Sequence, residues 1–213
     1  MTTLILIRHG ESQANRQSLF AGHLNVDLTE NGLAQAQKTA EYIAESYMVD
    51  AIYASDLLRA YKTGKAIAER FGLSVIPCEQ LREIRAGKWQ GERFDALSEK
   101  YPEDFRPWLV DIGNSRCTDG ESVKELGGRI LSAVTDIAKK NDGKTVLIAT
   151  HATPIRVLQC MIGGHSFDEM QNIPWVSNCS VTEICYDNGR WELVKIGYDN
   201  HLVGMRSALP ANV

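Results

Sequence analysis

The chain has 213 residues, 44% apolar and 23% charged, which fits one α/β domain with a filled core and room for a small lobe. Its 23 Lys and Arg against 27 Asp and Glu give a net charge of −4, which argues against a general nucleic-acid binder; any anion site must concentrate its arginines locally. The N-terminus lacks the basic start and apolar length of a signal peptide, no stretch is long enough to span a membrane, and the five cysteines form no Cys-x-x-Cys pair, so the chain reads as a cytoplasmic protein with free thiols.

Residues 4–7, Leu-Ile-Leu-Ile, predict a buried strand. Thr29 predicts the cap of a helix reaching about Ser46, with Leu33, Ala36, Ala40, Ile43 and Ala44 on one face. A short strand is expected over 51–54, then a helix after Ser55 that stops at Gly72, then a strand over 73–76 ended by Pro77. Residues 81–120 carry Trp89, Trp108, Pro102 and Pro107 and are expected to be an irregular lid or small lobe. Ser122 to Glu125 has capping-box spacing and predicts a helix to about Asn141. A strand over 145–149 and a short helix after Pro154 follow. Residues 181–186 and 191–196 flank Asp187-Asn188-Gly189-Arg190 as a β-hairpin. This alternation predicts an α/β fold: a mostly parallel sheet covered by helices on both faces, with an antiparallel hairpin near the C-terminus and a single domain over 1–213.

Ligands of such sheets bind beyond the carboxyl ends of the strands. Two strands here end alike, in Arg8-His9-Gly10-Glu11 and in Thr150-His151-Ala152, so neighbouring strands would set the two imidazoles across one crevice. Zinc would need further ligands, and Glu11 is the only local one. Arg8 repels a cation and suits an oxyanion, so no metal and no cofactor are expected. Arg59 lies in the first turn of the helix after the strand ending at Ala54, where the helix end also favours anions. Two arginines and two histidines could therefore neutralise a phosphoryl group as magnesium does elsewhere. Glu83, just after the strand near Pro77, is the candidate proton donor. His23 is expected at the border of the pocket, and His165 and His201 on the surface or in packing. Trp89, Trp108 and Trp175 could line a substrate pocket, with core or lid packing as the default, and Arg85, Lys88 and Arg156 could bind a second anionic group, with a solvated face as the default.

Leu6 to Glu11 with Asn15, Asp27 to Gly32, Ala54 to Ala60, Leu81-Arg82-Glu83, Gly120-Glu121-Ser122 and His151, in that order, resemble the signature of the histidine phosphatase superfamily, the phosphoglycerate mutase-like proteins. The resemblance covers almost the whole chain. It implies the phosphoglycerate mutase-like fold and a phosphatase that hydrolyses a small phosphomonoester, with His9 as the nucleophile that becomes phosphohistidine. Arg8, Arg59 and His151 would hold the phosphoryl oxygens. Asn15, the backbone near Gly22 and the backbone N–H of Ala152 would assist, the last where glycine is usual. Glu83 would serve as acid and then as base. The partner would be a small phosphorylated metabolite rather than nucleic acid or membrane, and the resemblance leaves room for a homodimer. The mutases have a tyrosine after the acid, whereas Glu83-Ile84-Arg85-Ala86-Gly87 has none, and they have adjacent arginines for the substrate carboxylate, whereas this chain has no Arg-Arg pair. Both differences favour hydrolysis over the alternative of a phosphoglycerate mutase, and the intact Glu83 speaks against a non-catalytic phospho-ligand-binding protein.

Overall fold

A strand without a polar face must be covered on both sides. In the computed structural model, which describes residues 1–207, the N-terminal run forms β1 (Thr2–Arg8), with residues 4–7 wholly buried. The other strands are β2 (Ala51–Ala54), β3 (Val75–Pro77), β4 (Thr145–Thr150), β5 (Val181–Asp187) and β6 (Arg190–Tyr198). They make one six-stranded sheet in the order β3-β2-β4-β1-β5-β6. The first four in that order run parallel, while β5 is antiparallel to β1 and forms the hairpin with β6.

The helices are α1 (Gln13–Arg16), α2 (Glu30–Ser46), α3 (Leu58–Phe71), α4 (Phe94–Lys100), α5 (Pro102–Val110), α6 (Val123–Lys140) and α7 (Ala152–Ile162). Successive residues of a strand point to opposite faces, and β1 separates two cores in this way. Leu4 and Leu6 join Val146, Ile148, Ile130 and Val134 under α6 and α7. Ile5 and Ile7 join Leu147, Ile52, Ile43 and Ile67 under α2 and α3. Helices thus cover both faces. The expected caps are present: Thr29 accepts from the Gly32 N–H at 3.0 Å, and Ser122 and Glu125 form a reciprocal capping box.

Three elements differ from expectation. β3 includes Pro77, because this strand is the sheet edge, where a missing N–H leaves no ladder bond unmade. The helix after β4 starts at Ala152, so Pro154 sits in its first turn, where the amide has no intrahelical partner to lose. Residues 81–120 are less irregular than their prolines suggest. Pro102 opens α5 from its first position, and Leu97, Phe105, Trp108 and Ile112 are buried in the α6-side core. All five cysteines are free thiols.

Ile148 is wholly buried at the centre of that core. Ile148→Ala should lower unfolding stability in denaturant by about 3 kcal/mol; a loss below about 1 kcal/mol would contradict this packing.

Candidate active site

The register of the sheet brings the site together. Ile7 pairs with Ala149 and Arg8 with Thr150, so His9 and His151 leave their strands at one level. The His9 N–H continues the ladder to the Thr150 carbonyl at 2.9 Å. On the other side of β4, Ala54 pairs with Ala149, which places Ser55 next to His151; its Oγ lies 2.8 Å from His151 Nε2. The two imidazoles meet edge to face, with centroids 5.2 Å apart. The first turn of α3 brings Arg59 Nε within 3.3 Å of His9 Nε2.

These contacts decide where the protons sit. His9 Nδ1 is 2.7 Å from the Gly10 carbonyl, which can only accept, so Nδ1 carries the hydrogen and Nε2 keeps its lone pair. Burial, then Arg59 and Arg8, hold His9 well below the usual imidazole range, so it is neutral. His151 is pushed the same way by burial, then by Arg59 and His9. The Leu57 N–H donates to Ser55 Oγ, so the serine hydroxyl can donate to His151 Nε2 and leave the proton of His151 on Nδ1. Burial also lowers Arg8 and Arg59 to about 10, still charged at neutral pH. Arg8 Nη1 donates to the Val176 carbonyl at 2.5 Å, and Arg59 donates to the carbonyls of Leu24 and Gly22, each at 2.8 Å. Gly22 has φ +48°, and a Cβ there would lie 2.7 Å from the Ala86 Cβ. Arg8 Nε and His151 Nδ1 are buried without a partner among the described residues. Such orphans cost about 1–3 kcal/mol each, and one oxyanion could accept from both.

Local folding supplies the rest. Gly10 touches α2 so closely that a Cβ would lie 2.4 Å from the Gly32 carbonyl oxygen, which explains the small residue after His9. Ser12 and Asn15 form a capping box that starts α1, and Asn15 Oδ1 also accepts from Asn178 Nδ2 at 3.3 Å. The acceptor side of Asn15 is therefore engaged, which leaves its Nδ2 to be offered to a ligand. The Glu83 carboxylate accepts from the Ile84 N–H at 2.8 Å and from the Thr153 N–H, at the start of α7, at 3.4 Å. Its backbone is clamped by Arg129, which donates to the carbonyls of Gln80, Arg82 and Glu83 and pairs with Glu121 at 2.8 Å. His23 Nε2 donates to the same Glu83 carbonyl at 2.8 Å. Arg82 binds Asp56 through two nitrogens, tying the Glu83 segment to the Arg59 turn.

The resulting cleft holds about 560 Å³ of space between the atoms, part of it open to solvent. Arg8, His9, Asn15, Gly22, Arg59, Glu83 and Ala152 line it, and His151 lies wholly buried beside His9. A sequence profile described as histidine phosphatase superfamily, branch 1, matches residues 4–199. The chain belongs to the histidine phosphatase superfamily. This histidine phosphatase superfamily chain is 32% identical over 202 residues to phosphoserine phosphatase 1 of Hydrogenobacter thermophilus, covering 95% of each. It is 30% identical over 206 residues to phosphoglycerate mutase-like protein 4 of Arabidopsis thaliana, covering 93% of this chain and 86% of that one. The solved structure of Bacillus stearothermophilus YhfR is similar, with TM-score 0.90 and 29% identity over 95% of this chain and 100% of that one.

Some of the remaining residues of this superfamily member lie where the sequence places them, and others do not. Trp108 and Trp175 line the cleft, while Trp89 is wholly buried in the core behind it. Gly22 offers its carbonyl to Arg59. Arg156 is not on a solvated face: it is buried, donates to the carbonyls of Ile173, Met170 and Gln171, and lies against Trp175. Arg85 and Lys88 are exposed and bind Asp119. Glu11 turns away from His9 toward Thr29, Asn31 and Ser207. His165 is exposed, and His201 packs on Tyr42. Ser55, Asn178 and Arg129 are the positioning residues that sequence reasoning missed; the serine of Ser55-Asp56-Leu57 was in view, but its partner was not. Among the described residues, no group of three or more His, Cys, Asp or Glu could hold a metal ion, and no helix is long and apolar enough to cross a membrane.

Both imidazoles have folded-state values below the ordinary 6.5. The unfolded chain therefore binds protons first on acidification, and stability is lost as pH falls below 6.5, by up to about 1.4 kcal/mol per pH unit for each histidine. Between pH 6 and pH 5, His151→Gln should make the fall in unfolding free energy shallower by about 1 kcal/mol per unit; an unchanged slope would show that His151 titrates normally.

Proposed function

We propose that this chain is a metal-independent phosphomonoesterase that works through a phosphohistidine at His9. The Nε2 lone pair of neutral His9 attacks phosphorus while the bond to the ester oxygen breaks, and the protonated Glu83 carboxyl gives its proton to the departing alkoxide. Glu83, now a carboxylate, takes a proton from water as the water oxygen attacks phosphorus. The P–N bond breaks, its electrons return to Nε2, and inorganic phosphate leaves with Glu83 protonated again. Arg8, Arg59 and the Nδ1–H of His151 hold the three equatorial oxygens, assisted by Asn15 Nδ2 and the Ala152 N–H at the start of α7. Arginine charge replaces the metal of other phosphoryl-transfer sites.

The observation that carries this reading is the His9 imidazole itself, with Nδ1 fixed on the Gly10 carbonyl and Nε2 beside Arg59. Phosphatase names among the relatives support hydrolysis. The mutase reading is weaker, because among the described residues the only Lys or Arg lining the cleft are Arg8 and Arg59. We treat the whole chain as one domain, with α4 and α5 as a small lobe that walls the cleft.

Hydrolysis of p-nitrophenyl phosphate should proceed unchanged in excess chelator. His9→Gln should abolish it, and Glu83→Gln should lower kcat by about 10²–10³-fold. Activity that requires added metal, or that survives His9→Gln, would overturn the mechanism.

A further inference from the structure

Beyond the phosphoryl cup, the cleft is walled by Leu19, Phe20, Phe94, Trp108 and Trp175. The aromatic rings form one connected surface. Phe20 packs on Phe94 at 5.1 Å and on Trp108 at 5.2 Å, and Trp108 lies 6.3 Å from Trp175 with planes 34° apart. Phe20 and Trp108 are buried, whereas Phe94 and Trp175 are half-buried and flank the mouth. The surface is held rigidly from behind. Trp89, wholly buried, packs edge-on against both Phe20 and Trp108. The Arg156 guanidinium lies 4.2 Å from the Trp175 ring centre, and its hydrogen bonds to three main-chain carbonyls fix it there.

The charge inventory of the wall is equally specific. Among the described residues, Arg8 and Arg59 are its only Lys or Arg side chains, and both belong to the phosphoryl cup. The nearby cations are turned elsewhere: Arg82 to Asp56, Arg93 to Asp95, Lys88 to Asp119, and Arg156, which packs on Trp175 but is outside the lining, to three main-chain carbonyls. A leaving group that carries a carboxylate would lose water against aromatic faces, whose π clouds are negative, with no cation of the lining beyond the phosphoryl cup to replace that water. A flat, uncharged leaving group would bury its own apolar area and stack.

Resting on the phosphatase reading above, we propose that the leaving-group subsite selects phosphomonoesters of flat, uncharged aryl or arylalkyl alcohols and disfavours carboxylate-bearing esters such as phosphoserine and 3-phosphoglycerate. Trp175 and Phe94 are the specificity-determining residues, and Arg156 positions Trp175.

The test compares benzyl phosphate with phosphoserine, both esters of primary alcohols, so that leaving-group reactivity does not decide the result. The expected kcat/KM ratio is at least about tenfold in favour of benzyl phosphate, expressed mainly in KM. Trp175→Ala should cut that ratio about tenfold, and Phe94→Lys, which puts a cation at the mouth, should shift it toward phosphoserine. A wild-type ratio near one, or a preference for phosphoserine, overturns the proposal even where p-nitrophenyl phosphate is hydrolysed through His9. A variant that misfolds does not rescue it, because the wild-type ratio stands alone. Failure of His9-dependent hydrolysis of p-nitrophenyl phosphate would instead remove the phosphatase reading, and this proposal with it.

Discussion

A slip of one residue between β1 and β4 would turn every side chain of β1 to the opposite face of the sheet. The pairing of Arg8 with Thr150 prevents this, because Leu4 and Leu6 must reach the α6 side while Ile5 and Ile7 reach the α2 side. The same register sets His9 and His151 at one height with their rings 5.2 Å apart. The two cores therefore do more than stabilise the fold: they fix the spacing of the imidazoles.

Electrostatics follows from that placement. Two guanidinium groups buried beside two imidazoles would be untenable if all four were charged, and burial resolves the conflict by keeping both histidines neutral. Burial lowers the arginines only to about 10, with Glu83 opposing the shift, so they remain charged, and the main-chain carbonyls of Val176, Gly22 and Leu24 accept their hydrogen bonds without neutralising them. An anion then gains where a cation loses. His9 stays a free base over a wider pH range than an ordinary histidine would, at the expense of acid stability.

Much of this was legible in the sequence, for reasons that can be stated residue by residue. His9, His151 and Arg59 sit at the ends of apolar strands or at a helix start, so local pattern placed them at one edge of the sheet. Glu83 was legible only through its order among the motifs. Asn178 and Arg129 were not legible, because they act across the fold: Asn178 donates to the His9 carbonyl from 169 residues away, and Arg129 reaches the Glu83 carbonyl from 46 residues away. The aromatic wall was only half legible for a related reason. Trp108 and Trp175 read as packing residues, and they do pack, but the face each leaves over becomes the cleft. Prolines at 102 and 107 concealed α5 because their breaking tendency is harmless at a helix start and can be overridden by burial of Phe105 and Trp108.

The central claim is that His9 presents an unprotonated Nε2 to phosphorus while Nδ1 stays bound to the Gly10 carbonyl. Nitrogen-15 NMR of the histidine side chains at pH 6 measures this directly, with His9→Gln to assign the signals. The account predicts a neutral His9 with its proton on Nδ1 in the free protein. An imidazolium signal for His9, or a proton on Nε2, would contradict it.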